Sequence, residues 1–460
     1  MTTVLEPVPE TPQEKTTEGL LSRRYRGPTF GITFLVTLLG FEAMAVGTVM
    51  PIVARDLNGL ALYAWGFSAT LIASLLATVL AGGWIDRVGS PIRPLVVGLA
   101  VFLAGLVISG AAPTMETFVA GRAVQGLGTG LALVSLYVVI ARVYPEELRP
   151  RVFAAEAIAW IMPSLLGPAV GGLVAEHIGW RWVFLGLVPL VIPPALLLVP
   201  ALRKLRPAEA SAAKPKRHVP AIALTAGAAI MLFGLERHNW TLLPIAALGL
   251  AGLAYGLPKL LPAGTLRMRR GLPSVVLTRG LLSGAFVGTD IFIPLALTSQ
   301  HGFSATKAGI VLTVAALGWS IASQFQGRSK RPRTFFVRLG AILMATGVLG
   351  VAVTLHLSAW ATAPAWLIGG AGMGLAVSSL SVLLLDQSPE SEQGVNSSSL
   401  AISDMLGASL LAGMGGALIT AFGTDHLTTG LTAAGALFTA VAVLAALTAT
   451  RLTPRPQTTP

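Results

Sequence analysis

Long apolar runs alternate with short polar or basic segments along most of the chain. A transmembrane helix needs about 20 consecutive apolar residues, within a range of roughly 17 to 25. Fourteen runs come near that length, so the pattern predicts an all-α polytopic membrane protein. The predicted spans are residues 29–53, 62–85, 95–112, 117–143, 152–178, 182–202, 219–235, 240–257, 274–298, 307–325, 335–357, 361–385, 395–422 and 428–450.

The fourteen spans fall into sets of six, two and six. Residues 29–202 are predicted to form an N-terminal six-helix bundle, and residues 273–450 a C-terminal one. Residues 203–272 hold basic linkers and two shorter apolar runs, while residues 1–28 and 451–460 form polar tails. The two shorter runs lie near the lower length limit. Twelve spans, with both runs on the membrane surface, is therefore the alternative.

Basic residues test this count independently of the apolar lengths, because Lys and Arg are retained on the cytoplasmic side of a membrane. With the N-terminus inside, all the long basic clusters fall inside. The basic residues left outside are Arg55, Arg181, Arg237 and Lys307. We therefore expect a multi-pass protein of the cell membrane with both tails cytoplasmic. No evident cleavage site follows the first apolar run, so we expect that helix to be retained.

Composition excludes several classes of protein. Hydrophobic residues make up 54% and charged residues 11% of the chain, against roughly 25% charged residues in soluble domains. The net charge of +12 is explained by cytoplasmic loops, so no nucleic-acid partner is expected. The chain has no Cys, and its six His residues lack metal-site spacing. It also lacks a phosphate-cradling GxxxxGK[ST] loop. We expect no metal, no cofactor and no use of ATP.

An internal repeat relates the two outer sets of spans. Residues 126–146 and 370–390 align without a gap and agree at ten of 21 positions, including three glycines and a closing Pro-Glu. The pentapeptide GFSAT also occurs twice, at residues 66–70 and 302–306. Two halves related in this way are typical of alternating-access transporters, whose binding site lies near the membrane midplane between the halves.

Glycines and charges are concentrated in the short loop after the second predicted span. Small residues let two helices approach closely, and an aspartate can pair with a basic group or a helix N-terminus. Taken alone, the segment is also compatible with an ordinary charged turn. The residues of this segment, called the glycine loop below, are Gly82, Gly83, Asp86, Arg87, Gly89 and Arg93.

The fourth and fifth predicted spans hold two further patterns. Arg122 lies within the fourth span, where an arginine is costly and rarely faces lipid. Its alternative is to extend toward the outer interface. The fifth span contains a proline among closely spaced glycines, which predicts a kink and a face for close helix packing. These residues of the fifth span are Gly167, Pro168, Gly171 and Gly172.

Together these segments resemble the major facilitator superfamily, and the fourteen spans resemble its branch of drug:proton antiporters with two extra helices between the halves. The resemblance implies two six-helix bundles that rock about a central cavity. It implies a gating role for the glycine loop, an antiporter motif in the fifth span, and control of protonation and helix coupling by Arg122. The chain departs from the family pattern at Ser90 and Pro91, where a basic residue usually follows. Arg142 also stands near a position that is acidic in many members.

Acids are scarce in the predicted spans, and each is a functional candidate by default. The main charges predicted inside the membrane are Glu42, Arg122, Asp290 and Asp404. A buried carboxyl group that alternates between wet and dry surroundings, or between paired and unpaired states, can carry a proton. We rank Glu42 first, Asp290 second and Asp404 third as carriers. A fixed hydrogen bond within the bundle is the alternative for each. For Glu156, closer to the cytoplasmic end of the fifth span, a structural role is favoured at least as much as a functional one.

The leading functional interpretation is a monomeric, proton-coupled antiporter that exports small amphipathic or drug-like compounds by alternating access. Its partners would be the small-molecule substrate, protons and the lipid bilayer. A transporter of lipid or of a cell-envelope metabolite is the second interpretation. A polytopic membrane enzyme is disfavoured because the outer loops are short and hold no catalytic cluster. Aromatic residues that could line a cavity, although a position at the membrane interface is favoured for most of them, are Trp160, Phe292, Trp319 and Phe325.

Overall fold

The computed structural model describes residues 19–145, 147–203, 205, 218–236, 240–389 and 392–453. In this part of the chain, fourteen helices are long and apolar enough to cross a membrane, which confirms the predicted all-α polytopic fold. The helices are α1 (Arg26–Asp56), α2 (Trp65–Val88), α3 (Ile92–Gly110), α4 (Met115–Val143), α5 (Arg149–Val174), α6 (Arg181–Leu202), α7 (His218–Glu236), α8 (Leu243–Leu260), α9 (Leu272–His301), α10 (Ala305–Arg328), α11 (Arg333–Thr354), α12 (Thr362–Asp386), α13 (Gln393–Phe422) and α14 (Leu427–Thr448).

Some of the sequence predictions fall outside this description. They concern the outer parts of both tails, most of the basic linker at 206–217, and Arg237. The side chain of Asp86 in the glycine loop is also outside the described residues.

Local sequence sets where several helices begin and end. Thr114 and Ser304 cap α4 and α10 by accepting a hydrogen bond from the backbone amide three residues ahead, at 3.3 Å in each case. Such caps satisfy amides that have no partner within the helix. Gly89 ends α2 in the left-handed conformation, with φ of 67°. Only glycine adopts this conformation without steric cost.

Helices α1–α6 pack mainly on one another, and helices α9–α14 do the same. In the first half α1 lies against α5 and α6, while in the second half α9 lies against α13 and α14. The pairs α2/α4 and α10/α12 correspond in the same way. The two halves meet mainly along two seams, formed by α5 with α10 and by α2 with α13.

The glycines of the internal repeat make equivalent contacts in both halves. The first and third glycine of each set contact α2 or its counterpart α10, and the second contacts α3 or its counterpart α11. A side chain at any of these positions would overlap the backbone of the neighbouring helix. The repeat therefore reflects equivalent packing. The two sets are Gly126, Gly128 and Gly130 in α4 and Gly370, Gly372 and Gly374 in α12.

The ends of the helices form two faces. We call the basic face the end of the bundle where α1 begins and α2 ends, because most of the positively charged loops lie there. Near the other end, called the opposite face, hydrogen bonds join the two halves. The hydroxyl of Ser68 donates to the carbonyl of Ser409 at 3.2 Å. The carboxylate of Glu176 accepts from the amide of Thr306 at 2.8 Å.

The two inserted helices, α7 and α8, pack on each other as a hairpin. Helix α7 also packs on α2 and α13, so the hairpin covers one of the two seams. On the first half, a Cβ added at Gly83 would overlap the imidazole of His218. On the second half, the hydroxyl of Ser399 donates to the carbonyl of Leu260 at 2.6 Å. These buried contacts favour fourteen spans over twelve.

Candidate functional site

A cavity of about 470 Å³ lies at the α5/α10 seam and extends from the middle of the bundle toward the basic face. Its walls come from α1, α5, α9 and α10, so both halves contribute to it. The lining is mostly apolar, with Asp290 as its one charged side chain among the described residues. The residues that line the cavity include Trp160, Pro168, Phe286, Asp290, Trp319 and Gln324.

Asp290 is held at the cavity wall by one directional hydrogen bond. The indole nitrogen of Trp366, on α12, donates to Oδ1 of Asp290 at 3.0 Å. The side chain of Trp366 is fully buried and stacks on Phe286, with ring centroids 4.9 Å apart. Phe286 in turn contacts the edge of Trp319 at 5.5 Å. No described Lys, Arg or His pairs with this carboxylate.

A negative group beside stacked aromatic rings has a definite recognition chemistry. Ring faces attract cations, most strongly when both are out of water. A carboxylate facing an apolar cavity costs free energy unless a cation or a proton neutralises it. The cavity at Asp290 is therefore suited to a flat or amphipathic molecule that carries a positive charge.

Glu42 and Arg122 lie elsewhere, in a buried polar cluster inside the first half. Each side chain is about 4% exposed, and Nη1 of Arg122 donates to Oε1 of Glu42. Arg122 also donates from Nε to the carbonyl of Gly66 at 2.9 Å and from Nη1 to Oε1 of Gln125 at 2.8 Å. The cluster joins α1, α2 and α4. Arg122 thus does not extend to the interface, and Glu42 does not line the cavity.

Asp404 forms a third charged group, and its partner is a residue that the sequence reasoning missed. Nε of Arg279 lies 2.6 Å from Oδ1 of Asp404, and Nη2 lies 3.1 Å from Oδ2, so the pair is bidentate. Both side chains are partly buried, between α9 and α13. The structure therefore adds Arg279, which falls within a predicted span, to the four main charges predicted inside the membrane. The rarity of arginine in spans was the signal that could have found it.

The fifth-span motif lies where α5 meets both α1 and α10. Gly167 and Gly171 face Met44 and Ala45 on α1. A Cβ at Gly172 would lie 2.8 Å from the Cα of Thr306 on α10, so the halves touch backbone to backbone there. A Cβ at Gly309 of α10 would lie 2.5 Å from the carbonyl oxygen of Pro168, and the proline also lines the cavity. The motif is thus part of the seam between the halves.

The prediction of a loop is wrong for most of the glycine loop, because Gly82–Arg87 belong to the last turns of α2 and Arg93 to the first turn of α3, leaving only Gly89 between the helices. The segment is fixed to its own half by a residue outside the motif. Nη1 of Arg142, at the end of α4, donates to the carbonyl of Gly89 at 2.7 Å. Arg87 and Arg93 are exposed on the basic face. Gly83 contacts the inserted helix α7, whereas a side chain at Gly82 would meet no atom within 4 Å.

The remaining candidates separate clearly in the structure. Trp160 and Trp319 line the cavity as one alternative predicted. Phe325 lies in an adjoining hollow at the basic end of α10, and Phe292 lies in a separate small pocket within the second half. Glu156 is buried and hydrogen-bonded to Tyr137 of α4, consistent with a structural role.

Comparisons with known proteins agree with this architecture. The chain is 26% identical over 467 aligned positions to a probable multidrug-efflux transporter of Mycobacterium tuberculosis, covering 95% of this chain and 96% of that protein. It is 25% identical to the multidrug transporter protein MdtP of Bacillus subtilis, covering 89% of this chain and 78% of that one.

Solved structures share the fold at low sequence identity. A POT family transporter crystallised with 5-aminolevulinic acid superposes with a TM-score of 0.68 at 13% identity, over 93% of this chain and 96% of that one. A D-xylose-proton symporter gives 0.65 at 16% identity, over 94% and 98%. The sequence profile of the Major Facilitator Superfamily matches residues 32–412. The chain, a multi-pass membrane protein, is therefore a member of the Major Facilitator Superfamily of transporters.

Proposed function

We propose that the protein is a proton-coupled antiporter that exports small amphipathic compounds, preferably with a positively charged group, by alternating access. The observation that carries the proposal is the position of Asp290, which faces an aromatic cavity and pairs with no Lys, Arg or His in the described part of the chain. The multidrug transporters among its relatives support the substrate class.

Exchange follows from the electrostatics of one carboxyl group. The charged form of Asp290 in an apolar cavity needs a positive partner, which can be a proton or the cationic group of a substrate. One carboxylate does not bind a proton and a cationic substrate at the same time. Substrate leaving on one side therefore makes room for a proton, and proton release on the other side restores the site for substrate.

The orientation of the cavity in the membrane rests on the shape of the seams and on charge. Hydrogen bonds between the halves lie near the opposite face, while the cavity extends toward the basic face. A second hollow of about 450 Å³, lined by Ile321, Gln324, Phe325 and Arg328, continues along α10 to that face. Since basic loops are retained inside, we assign the basic face to the cytoplasm of the cell. A single chain holds the whole cavity, so the proposal is for a monomer.

The Glu42 and Arg122 pair is assigned a coupling role rather than a binding role. Arg122 holds the start of α2 through Gly66, and α2 forms one of the two seams. Neutralising Glu42 would weaken its attraction to Arg122 and loosen that seam. Asp404, already neutralised by Arg279, is the weakest of the three acids as a proton carrier.

The test uses purified protein in liposomes that contain a pH-sensitive dye, with ethidium as the cationic substrate. Ethidium is expected to drive proton movement through the native protein and not through Asp290→Asn. Asp386→Asn, at the exposed end of α12, is the matched control and should behave as native. Glu42→Gln should still bind ethidium but exchange it slowly.

The proposal is wrong if Asp290→Asn retains native ethidium-driven proton movement. Movement of fluorescent phospholipid by the native protein, with no response to ethidium, would favour the lipid-transport alternative instead.

A further inference from the structure

Four arginines converge at the basic face, where the loop between α8 and α9 meets the end of α14. Arg267, Arg269 and Arg270 come from the loop and Arg451 from the turn after α14, and they line a hollow of about 620 Å³. All four are exposed, and no described carboxylate pairs with any of them. Membrane topology requires basic residues on this side, but it does not require them to surround one hollow.

The loop that carries three of these arginines has a fixed backbone. Met268 adopts the left-handed conformation with φ of 51°, which is uncommon for a residue other than glycine. The amide of Gly271 donates to the carbonyl of Arg451 at 2.9 Å, and Nη1 of Arg451 donates to the carbonyl of Met268 at 3.3 Å. The hydroxyl of Ser274 donates to the carbonyl of Arg269 at 2.7 Å.

The turn that carries Arg451 is held from two further helices. Arg338 on α11 donates from Nε to the carbonyl of Ala449 at 3.2 Å. Gln387, next to the end of α12, donates from Nε2 to the carbonyl of Leu452 at 3.0 Å. The arginines are thus presented by segments that are already in place, which reduces the ordering needed to bind a ligand.

Neighbouring side chains place the hollow at the level of lipid headgroups. In the last turn of α8, Nζ of Lys259 lies 3.5 Å from the ring centroid of Tyr255, which is 46% exposed. Exposed tyrosines and lysines at helix ends mark the membrane interface. Within the loop, Leu266 is 57% exposed beside Arg267, so an apolar side chain adjoins the positive charge. That combination suits an amphipathic ligand.

We propose that the arginine hollow binds the phosphate of an anionic phospholipid in the leaflet at the basic face. Guanidinium groups bind phosphate oxygens in pairs, and anionic lipids concentrate at basic surfaces. Arg267 and Arg270 lie in the loop that follows the inserted hairpin, and Arg451 lies in the turn that follows α14. A headgroup bound to these arginines therefore connects the hairpin to the second half. The site is separate from the cavity at Asp290 and does not depend on which substrate is transported.

Native mass spectrometry of the full-length protein tests the proposal, with phosphatidylglycerol compared against phosphatidylcholine. The variant is Arg267→Gln with Arg270→Gln, because neither side chain donates a hydrogen bond to a described residue. Each basic residue near a charged surface contributes about fivefold to lipid binding. We expect the double variant to retain phosphatidylglycerol roughly 25-fold more weakly, with no change for phosphatidylcholine.

Lys330→Gln with Arg331→Gln removes the same charge from another loop of the basic face and is the matched control. Equal loss of phosphatidylglycerol in the control would overturn the proposal, because binding would then follow net charge alone. Displacement of the lipid by inorganic phosphate at equal concentration would overturn it in favour of a soluble anion. Thermal unfolding of both double variants in detergent checks that they are folded, and an unfolded variant is replaced by Arg267→Gln alone.

Discussion

The indole nitrogen of Trp366 donates a hydrogen bond of 3.0 Å to Oδ1 of Asp290. Helix α12 thereby orients an acid of α9 toward a cavity that both halves line. Trp366 itself is buried behind Phe286 and is not among the residues that line the cavity. The tryptophan is therefore a positioning residue for the carboxylate, and the two can be separated by substitution.

Trp366→Phe keeps an aromatic ring beside Phe286 and removes the hydrogen bond to Asp290. A hydrogen bond to a charged group contributes about 1.5 kcal/mol or more. Because this bond is present without substrate, its loss acts on binding only through the placement of the carboxylate. We therefore expect ethidium to bind more weakly by at most about tenfold, as measured by fluorescence titration in detergent. Trp360→Phe, at an exposed tryptophan in the turn that precedes α12, is the control. Unchanged affinity in Trp366→Phe would show that the indole does not position the acid.

Arg122→Gln leaves the carboxylate of Glu42 buried without its cation. Removing one partner of a buried pair typically costs about 3 to 5 kcal/mol. We expect a clear fall in thermal stability in detergent, and a smaller combined loss when Glu42→Gln is added. Arg181→Gln breaks the exposed pair with Asp56, whose side chains are 43% and 49% exposed, and should cost about 1 kcal/mol or less. Similar losses of stability from Arg122→Gln and Arg181→Gln would contradict the burial of the pair formed by Glu42 and Arg122.

Gly416→Leu places a side chain against Ala64, where α13 meets α2 near the opposite face. We expect it to force this seam open and to stop transport. Because the chain has no cysteine, Ser409→Cys gives a unique label site beneath the seam. Overpacking displaces neighbouring helices. The label site at position 409 should therefore react with a charged maleimide at least about tenfold faster when Gly416→Leu is also present.

Gly394→Leu is the control for that substitution, since it lies on the same helix and a side chain there meets no atom within 4 Å. Slow labelling of Ser409→Cys in both variants would mean that contact between Gly416 and Ala64 does not close the seam.

The fold was predictable from sequence because its determinants are local. Apolar length set the number of spans, and the glycines at 126 and 370 repeat because both must touch a neighbouring backbone. The predicted ends were a few residues short at α1, which continues to Asp56. Polar residues can occupy the last turns of a helix, but a prediction from apolar length leaves them out of the span.

The site was only partly predictable, because pairings between distant residues leave no local pattern. Glu42 and Arg122 are 80 positions apart, and the sequence did not say that they pair. That pairing removes Glu42 from the cavity and leaves Asp290 as the acid that faces it. Arg279 is different, because an arginine within a predicted span can be recognised from the sequence alone.

Two adjacent glycines of the glycine loop allow a sharp test of the inserted hairpin. The family resemblance treats Gly82 and Gly83 alike, but only Gly83 faces α7, where its missing side chain makes room for the ring of His218. Gly83→Leu should displace His218 and destabilise the protein by about 1 to 3 kcal/mol, as overpacking does. Gly82→Leu should leave the stability close to that of the native protein, because a Cβ there meets no atom within 4 Å. Both substitutions gain the same helix propensity, so the difference between them reports the contact with α7. Adding His218→Ala to Gly83→Leu should recover most of the lost stability in thermal unfolding. Equal destabilisation by the two substitutions would mean that the motif acts without the inserted hairpin. Destabilisation by Gly83→Leu alone would mean that the hairpin helps to hold α2 in position.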